Sequence, residues 1–101
     1  MSIKIGNYNF DGPYADTSKL KNQSGVYVIL GRSGSAHNWN VVDVGESATV
    51  RDRVQNHDRA PCWKRQGNSE LQVAANYCNE QQRMRLEQDL RERFDPPCGK
   101  R

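Results

Sequence analysis

Arg53 and His57 stand four residues apart, a spacing that on a helix puts both side chains on one face, directly beside Val50 and Val54. An arginine offers a phosphate a planar fork of donors and keeps its charge, while a histidine can shuttle a proton or position water near neutral pH. Glu87 is the second anomaly. At about 100° per residue it projects within roughly 20° of Phe94, on the edge of an apolar stripe formed by Leu86, Leu90 and Phe94. A carboxylate there either reaches solvent or needs an arginine, a hydrogen-bond network or a metal ion, because burying it unpaired is costly. Around His57, the cations Arg51, Arg53, Arg59, Lys64 and Arg65 crowd a segment that also holds Trp63. That mixture suits a polyanion, with cations meeting phosphates and the ring stacking on a base, or else a solvated basic face. Arg53 pairing with Asp52 or Asp58, and His57 serving only structure, are the plainer readings of the same residues.

These side chains need elements to carry them. Val26 to Leu30 is β-branched and aromatic, bounded by Gly25 and Gly31, and reads as a strand in which Tyr27 shares a face with Ile29. Tyr27 is there either as an ordinary strand aromatic or as part of a site. Residues 31–38 form a loop into a second run, Trp39 to Val44, that ends at Gly45, so an antiparallel hairpin is expected. In this run Asp43 opposes the parity of Val42 and Val44. It lies across from them with Val41, or joins Tyr27 if a notch interrupts the core face. Ser47 can cap a helix running to about His57 or Asp58. A polar stretch broken by Pro61 and Gly67 then leads to a third strand, Leu71 to Tyr77. Asn79 with Gln82 resembles a capping box for the helix of Glu87, which Pro96 and Pro97 stop. The order from Gly25 is strand, strand, helix, strand, helix, an α+β pattern. Residues 1–24 read as an irregular lead-in packed on a domain of residues 25–101, with a turn at Asp11-Gly12-Pro13.

At 101 residues the chain fits one core. Its mean hydropathy of −0.98 and the lack of any apolar run near the roughly 20 residues that span a bilayer lead us to expect no membrane partner. The start, Met1 to Gly6, has no secretory pattern, so a cytoplasmic location is expected. Cys62, Cys78 and Cys98 make an odd set without a close pair, which argues for free thiols. A zinc site from His57 and the three cysteines has irregular spacing. The net charge of +3 is only modestly basic.

Taken together, the residues resemble the GIY-YIG nuclease superfamily. Gly25-Val26-Tyr27 resembles the GIY element, and Asp43-Val44-Gly45 stands where YIG follows on the next strand. Arg53 occupies the position of the family's arginine, His57 lies one turn later where the family has His or Tyr, and the helix from Asn79 to Leu90 resembles the glutamate-bearing helix of the bacterial excision-repair endonuclease, with Glu87 in the metal-binding position. The resemblance implies a small central three-stranded antiparallel sheet flanked by helices. It also implies metal-dependent hydrolysis of a nucleic-acid phosphodiester, DNA ahead of RNA, with one Mg²⁺ or Mn²⁺. In that scheme Glu87 holds the metal, Arg53 neutralises the phosphate, and Tyr27, assisted by His57, orients or deprotonates water; Arg51, Arg59, Trp63, Lys64 and Arg65 contact substrate. The chain departs from the pattern at Asp43, Glu46 and Gly99. Two added carboxylates repel a phosphate unless a cation sits between them, which makes Asp43 a candidate further metal ligand. The same departures suit a catalytically impaired nucleic-acid-binding module on this fold. A protein-interaction domain is the third reading, marked by an exposed apolar patch of Trp39 and Trp63.

Overall fold

The computed structural model describes residues 1–34 and 36–99; Ser35, in the expected loop, and Lys100 and Arg101, at the end of the expected domain, lie outside the described residues. The elements are β1 (Ser2–Ile5), β2 (Tyr8–Tyr14), a 3-10 turn (Thr17–Lys19), β3 (Gly25–Arg32), β4 (Asn40–Ser47), α1 (Val50–Gln55), α2 (Ala60–Arg65), β5 (Glu70–Tyr77) and α3 (Glu80–Phe94).

The sheet corrects the expectation of three strands: it has five, in the order β1-β2-β5-β3-β4, with every neighbouring pair antiparallel. The added strands come from the lead-in that reads as irregular. Ile3, Ile5, Tyr8 and Phe10 alternate with polar residues over stretches too short to stand out, and Gly12-Pro13 interrupts the second. Pairing with β5 nonetheless continues from Asp11 to Tyr14 across a register shift, and Phe10 and Ile5 become core residues, 1 % and 5 % exposed. The tight β1–β2 turn needs Gly6, whose φ is +60°.

Strand β3 pairs on both edges and is buried over almost its whole length, which is why it reads as a continuous apolar run. Its two faces belong to two cores. Val26, Val28 and Leu30 pack with Val44, Leu86 and Leu90 under α3. Tyr27 and Ile29 pack with Val42, Val50, Val54 and Trp63 under α1 and α2. Phe94, expected on the stripe of α3, is 37 % exposed; the stripe is carried by Leu86 and Leu90, and each buried leucine contributes roughly 1.5–3 kcal/mol. Asn79 and Gln82 form the expected reciprocal capping box.

A bulge settles the parity of Asp43. Ile29 pairs with Asp43 but Leu30 pairs with Val41, so Val42 is an extra residue on β4. Val42 and Asp43 therefore both face α1 and α2, while Val44 faces α3. The first helix is shorter than expected, ending at Gln55, and the polar stretch beyond it forms α2, with Pro61 in the first turn, where its missing N–H is tolerated. Among the described residues, no helix is long and apolar enough to cross a membrane.

Candidate functional site

Asp43 is the centre of the face beneath α2. It is fully buried, and a carboxylate in that position must have its oxygens satisfied. Oδ2 accepts from Arg59 Nε at 2.8 Å and from the Trp63 indole N–H at 2.8 Å; Oδ1 accepts from Arg91 Nη2 at 3.0 Å and from the Val44 amide at 2.8 Å. One carboxylate thereby ties strand β4 to Trp63 of α2, to Arg59 just before that helix, and to Arg91 of α3. Arg91 also donates to the Val44 carbonyl, to the Gly99 carbonyl at 2.9 Å and, through Nε, to Glu87 Oε2 at 3.1 Å.

Beside this anchor, Tyr27, Arg53, Arg59, Glu87 and Arg91 line a notch of about 420 Å³ together with Glu46, Asp58 and Gly99. Tyr27 reaches it because Gly45, its partner on β4, has no side chain: a Cβ there would collide with the Tyr27 phenol. His57, just past α1, lies behind Tyr27 with its Nε2 2.5 Å from the phenol oxygen. The Arg59 amide donates to His57 Nδ1 at 3.0 Å, so the neutral ring carries its proton on Nε2 and donates to Tyr27. Asp58 approaches Nδ1 at 3.4 Å, but this is no ion pair at neutral pH. Burial, with Arg53 and Arg59 nearby, pushes the imidazole down to about 4. Burial likewise pushes the Tyr27 phenol up to about 12, against the pull of Arg59 and Arg53. Arg53 itself pairs with Asp58 at 2.9 Å, and this bond leads the causes that lower the exposed Asp58 carboxyl.

The notch is electrostatically even: Arg53, Arg59 and Arg91 face Glu46, Asp58 and Glu87. Glu46 is held by Arg83 at 2.5 Å. A divalent cation such as Mg²⁺ keeps most of its waters and takes one or two carboxylates plus substrate phosphate oxygens; Glu87 and Glu46 line the notch, each bonded to an arginine, Arg91 and Arg83, that such an ion would have to displace. Asp43 does not fit, because its oxygens are taken by two guanidinium groups, an indole and an amide.

The structure thus brings together Tyr27, Arg53, His57 and Glu87, and places Arg59 among them as a partner of Asp43. Trp63 is core, 8 % exposed, with its indole committed to Asp43. Arg51, on α1, and Lys64 and Arg65, exposed on α2, do not line the notch. Sequence reasoning missed Arg91, although its position four residues after Glu87 on a helix was a usable signal. It also expected free thiols, whereas Cys62 and Cys98 form a disulfide and only Cys78 is free. Bringing α2 and the segment after α3 together needs tertiary structure, so no local spacing revealed the pair; their bonding also dissolves the zinc set. No known protein family, curated protein or solved structure matches the chain.

Proposed function

We propose that the chain is a divergent GIY-YIG-like nuclease that hydrolyses nucleic-acid phosphodiester bonds with the help of Mg²⁺ or Mn²⁺, acting on DNA ahead of RNA. The observation that carries this reading is the convergence of Tyr27, Arg53 and Glu87, from a strand and two helices, on one notch with His57 bonded behind the tyrosine. Arg53 exchanges exposed Asp58 for a phosphate oxygen, and its fork matches that oxyanion as charge develops. Because His57 donates to the phenol oxygen, the phenol proton is left to orient a water; as phenolate, Tyr27 takes the water's proton, stabilised by the His57 N–H and by Arg53 and Arg59. Glu87 would hold a divalent cation, which would supply positive charge for the leaving oxygen. The direct test is nicking of supercoiled plasmid with Mg²⁺ or Mn²⁺, comparing the parent with Glu87→Ala. Nicking by the parent alone is expected, and equal nicking by both overturns the proposal.

One observation favours a second reading, a non-catalytic nucleic-acid-binding module. Arg91 already lies against both Glu87 and Asp43, so a built-in cation neutralises part of the acidic set. That module binds DNA or RNA with steep salt dependence and cleaves neither. An interaction patch of Trp39 and Trp63 receives no support, since Trp63 is buried and Arg32 stacks over Trp39 at 4.0 Å.

A further inference from the structure

We propose that the Cys62–Cys98 pair is a redox latch that holds one wall of the notch in place. The inference stands on the geometry of that wall and not on what the notch binds.

Two parts carry the wall: α2, whose N-cap residue Arg59 lines the notch, and the strap after α3, whose Gly99 does; neither is held by extensive structure of its own. Helix α2 is only six residues long, far below the length at which a helix persists unaided. It stays on the sheet through Trp63 and the preceding Arg59, both anchored on Asp43. The second part is the strap after α3, which returns across β4: the Cys98 amide donates to the Val42 carbonyl at 3.1 Å, and the Gly99 carbonyl takes Arg91. Gly99 sits against both guanidinium groups, with φ +74°; a Cβ there would lie 2.7 Å from Arg91 Nη2 and 2.8 Å from Arg59 Nε. The disulfide joins these parts to each other across 36 residues of sequence. Helix, Asp43, Arg91, strap and cross-link therefore form a closed ring around the inner wall of the notch. Opening the cross-link leaves each part on its own few bonds and raises the freedom of both.

The chemistry is a two-electron exchange. Cys98 is fully buried and Cys62 is partly exposed, so a dithiol reductant attacks Cys62 Sγ and Cys98 leaves as a thiolate that takes a proton from water. The second thiol of the reductant then displaces Cys62, giving two protein thiols and an oxidised reductant. With glutathione, two molecules take the place of the dithiol and leave as glutathione disulfide, and glutathione disulfide re-forms the Cys62–Cys98 bond by the reverse exchange, releasing two glutathiones. Cys78 is a weak competitor, because burial raises its thiol above the ordinary value.

The test uses the full chain equilibrated in glutathione buffers of graded reduced-to-oxidised ratio. Thiol state is read by alkylation and mass spectrometry, and local order by hydrogen exchange of the α2 amides, the Trp63 indole N–H and Arg59 Nε–H. Reduction is expected to speed exchange at these positions by roughly tenfold or more while the β3 and β5 amides stay protected, since local opening involves less than the whole fold. Cys62→Ser is expected to behave like the reduced protein without reductant. Equal protection in both redox states overturns the latch, as does failure of Cys62 and Cys98 to pair in oxidised glutathione. If reduction or Cys62→Ser opens β3 and β5 along with α2, the bond is a global staple and the latch is likewise overturned. None of these readouts involves cleavage, so the outcome is separate from that of the nicking assay.

Discussion

The phenol oxygen of Tyr27 and Nε2 of His57 lie 2.5 Å apart, with the imidazole as donor because the Arg59 amide occupies its other nitrogen. The direction of that bond decides what each residue can do. A histidine that already donates to the phenol oxygen does not withdraw the phenol proton; it supports the phenolate once the proton has gone. Both groups are also held away from their charged forms, since burial disfavours charge whichever sign it has.

The first consequence is acid sensitivity. Unfolded, His57 titrates near its ordinary 6.5, but folded it stays neutral until about 4. Between those values the unfolded chain binds more protons, so stability present above pH 6.5 is lost as pH falls toward 4. Between pH 7 and pH 4.5 the loss amounts to about 2–3 kcal/mol. Urea unfolding at pH 7 and pH 4.5 measures it, and His57→Gln is expected to flatten most of the difference. An unchanged pH dependence in that variant would place the acid sensitivity elsewhere.

Alkaline conditions act on Tyr27 instead. With the folded phenol near 12 and the unfolded one near 10, stability is complete below pH 10 and declines between the two values. Within the proposed nuclease, the phenolate fraction rises about tenfold per pH unit across the neutral range, so cleavage should climb with a slope near one from pH 7 to 9. Tyr27→Phe is expected to lower the rate by roughly 10²–10⁴-fold and abolish that slope. A flat profile in the parent would remove Tyr27 from the role of base.

How much of this was legible varied with how local the signal was. The β3–β4 hairpin, the third strand and α3 with its Asn79–Gln82 cap each carry a pattern within a dozen residues or so, and Glu87 at the stripe edge declared itself by helical phase. The β1–β2 hairpin did not, because its alternation is short and broken by Gly12-Pro13, and only pairing with β5 makes it a sheet edge. Asp43 was undecidable because one extra residue, Val42, flips the parity of the strand beyond it. The disulfide and the ring of partners on Asp43 join positions far apart in sequence, which no periodicity encodes.

Gly45 tests the fit of the tyrosine. A methyl group at this position meets the Tyr27 ring and hydroxyl, both fixed by neighbours, so Gly45→Ala should cost roughly 1–3 kcal/mol by overpacking and displace the phenol from His57. Thermal unfolding gives the first quantity. The second is loss of the His57 Nε2–H bond to the phenol, read by NMR of the imidazole N–H; an intact bond with full stability would mean that Tyr27 has room the structure does not give it.

Arg53 and Arg59 line the same notch yet should separate cleanly when each is changed to alanine. The Arg53 side chain is 37 % exposed and pairs with Asp58, which is 75 % exposed. Such a pair contributes little, so Arg53→Ala should change stability by no more than about 1 kcal/mol. If Arg53 is the phosphate ligand, the same change should cut cleavage by roughly 10²–10³-fold. Arg59 has a different debt to the fold: its partner Asp43 is fully buried, and removing the guanidinium strips Oδ2 of one of its two donors while Arg91 still serves Oδ1. Arg59→Ala should therefore destabilise by about 1–3 kcal/mol. Chemical denaturation and plasmid nicking on the two variants form one experiment. Loss of stability without loss of cleavage in Arg53→Ala, or the reverse pattern in Arg59→Ala, would show that the roles of the two arginines are interchanged.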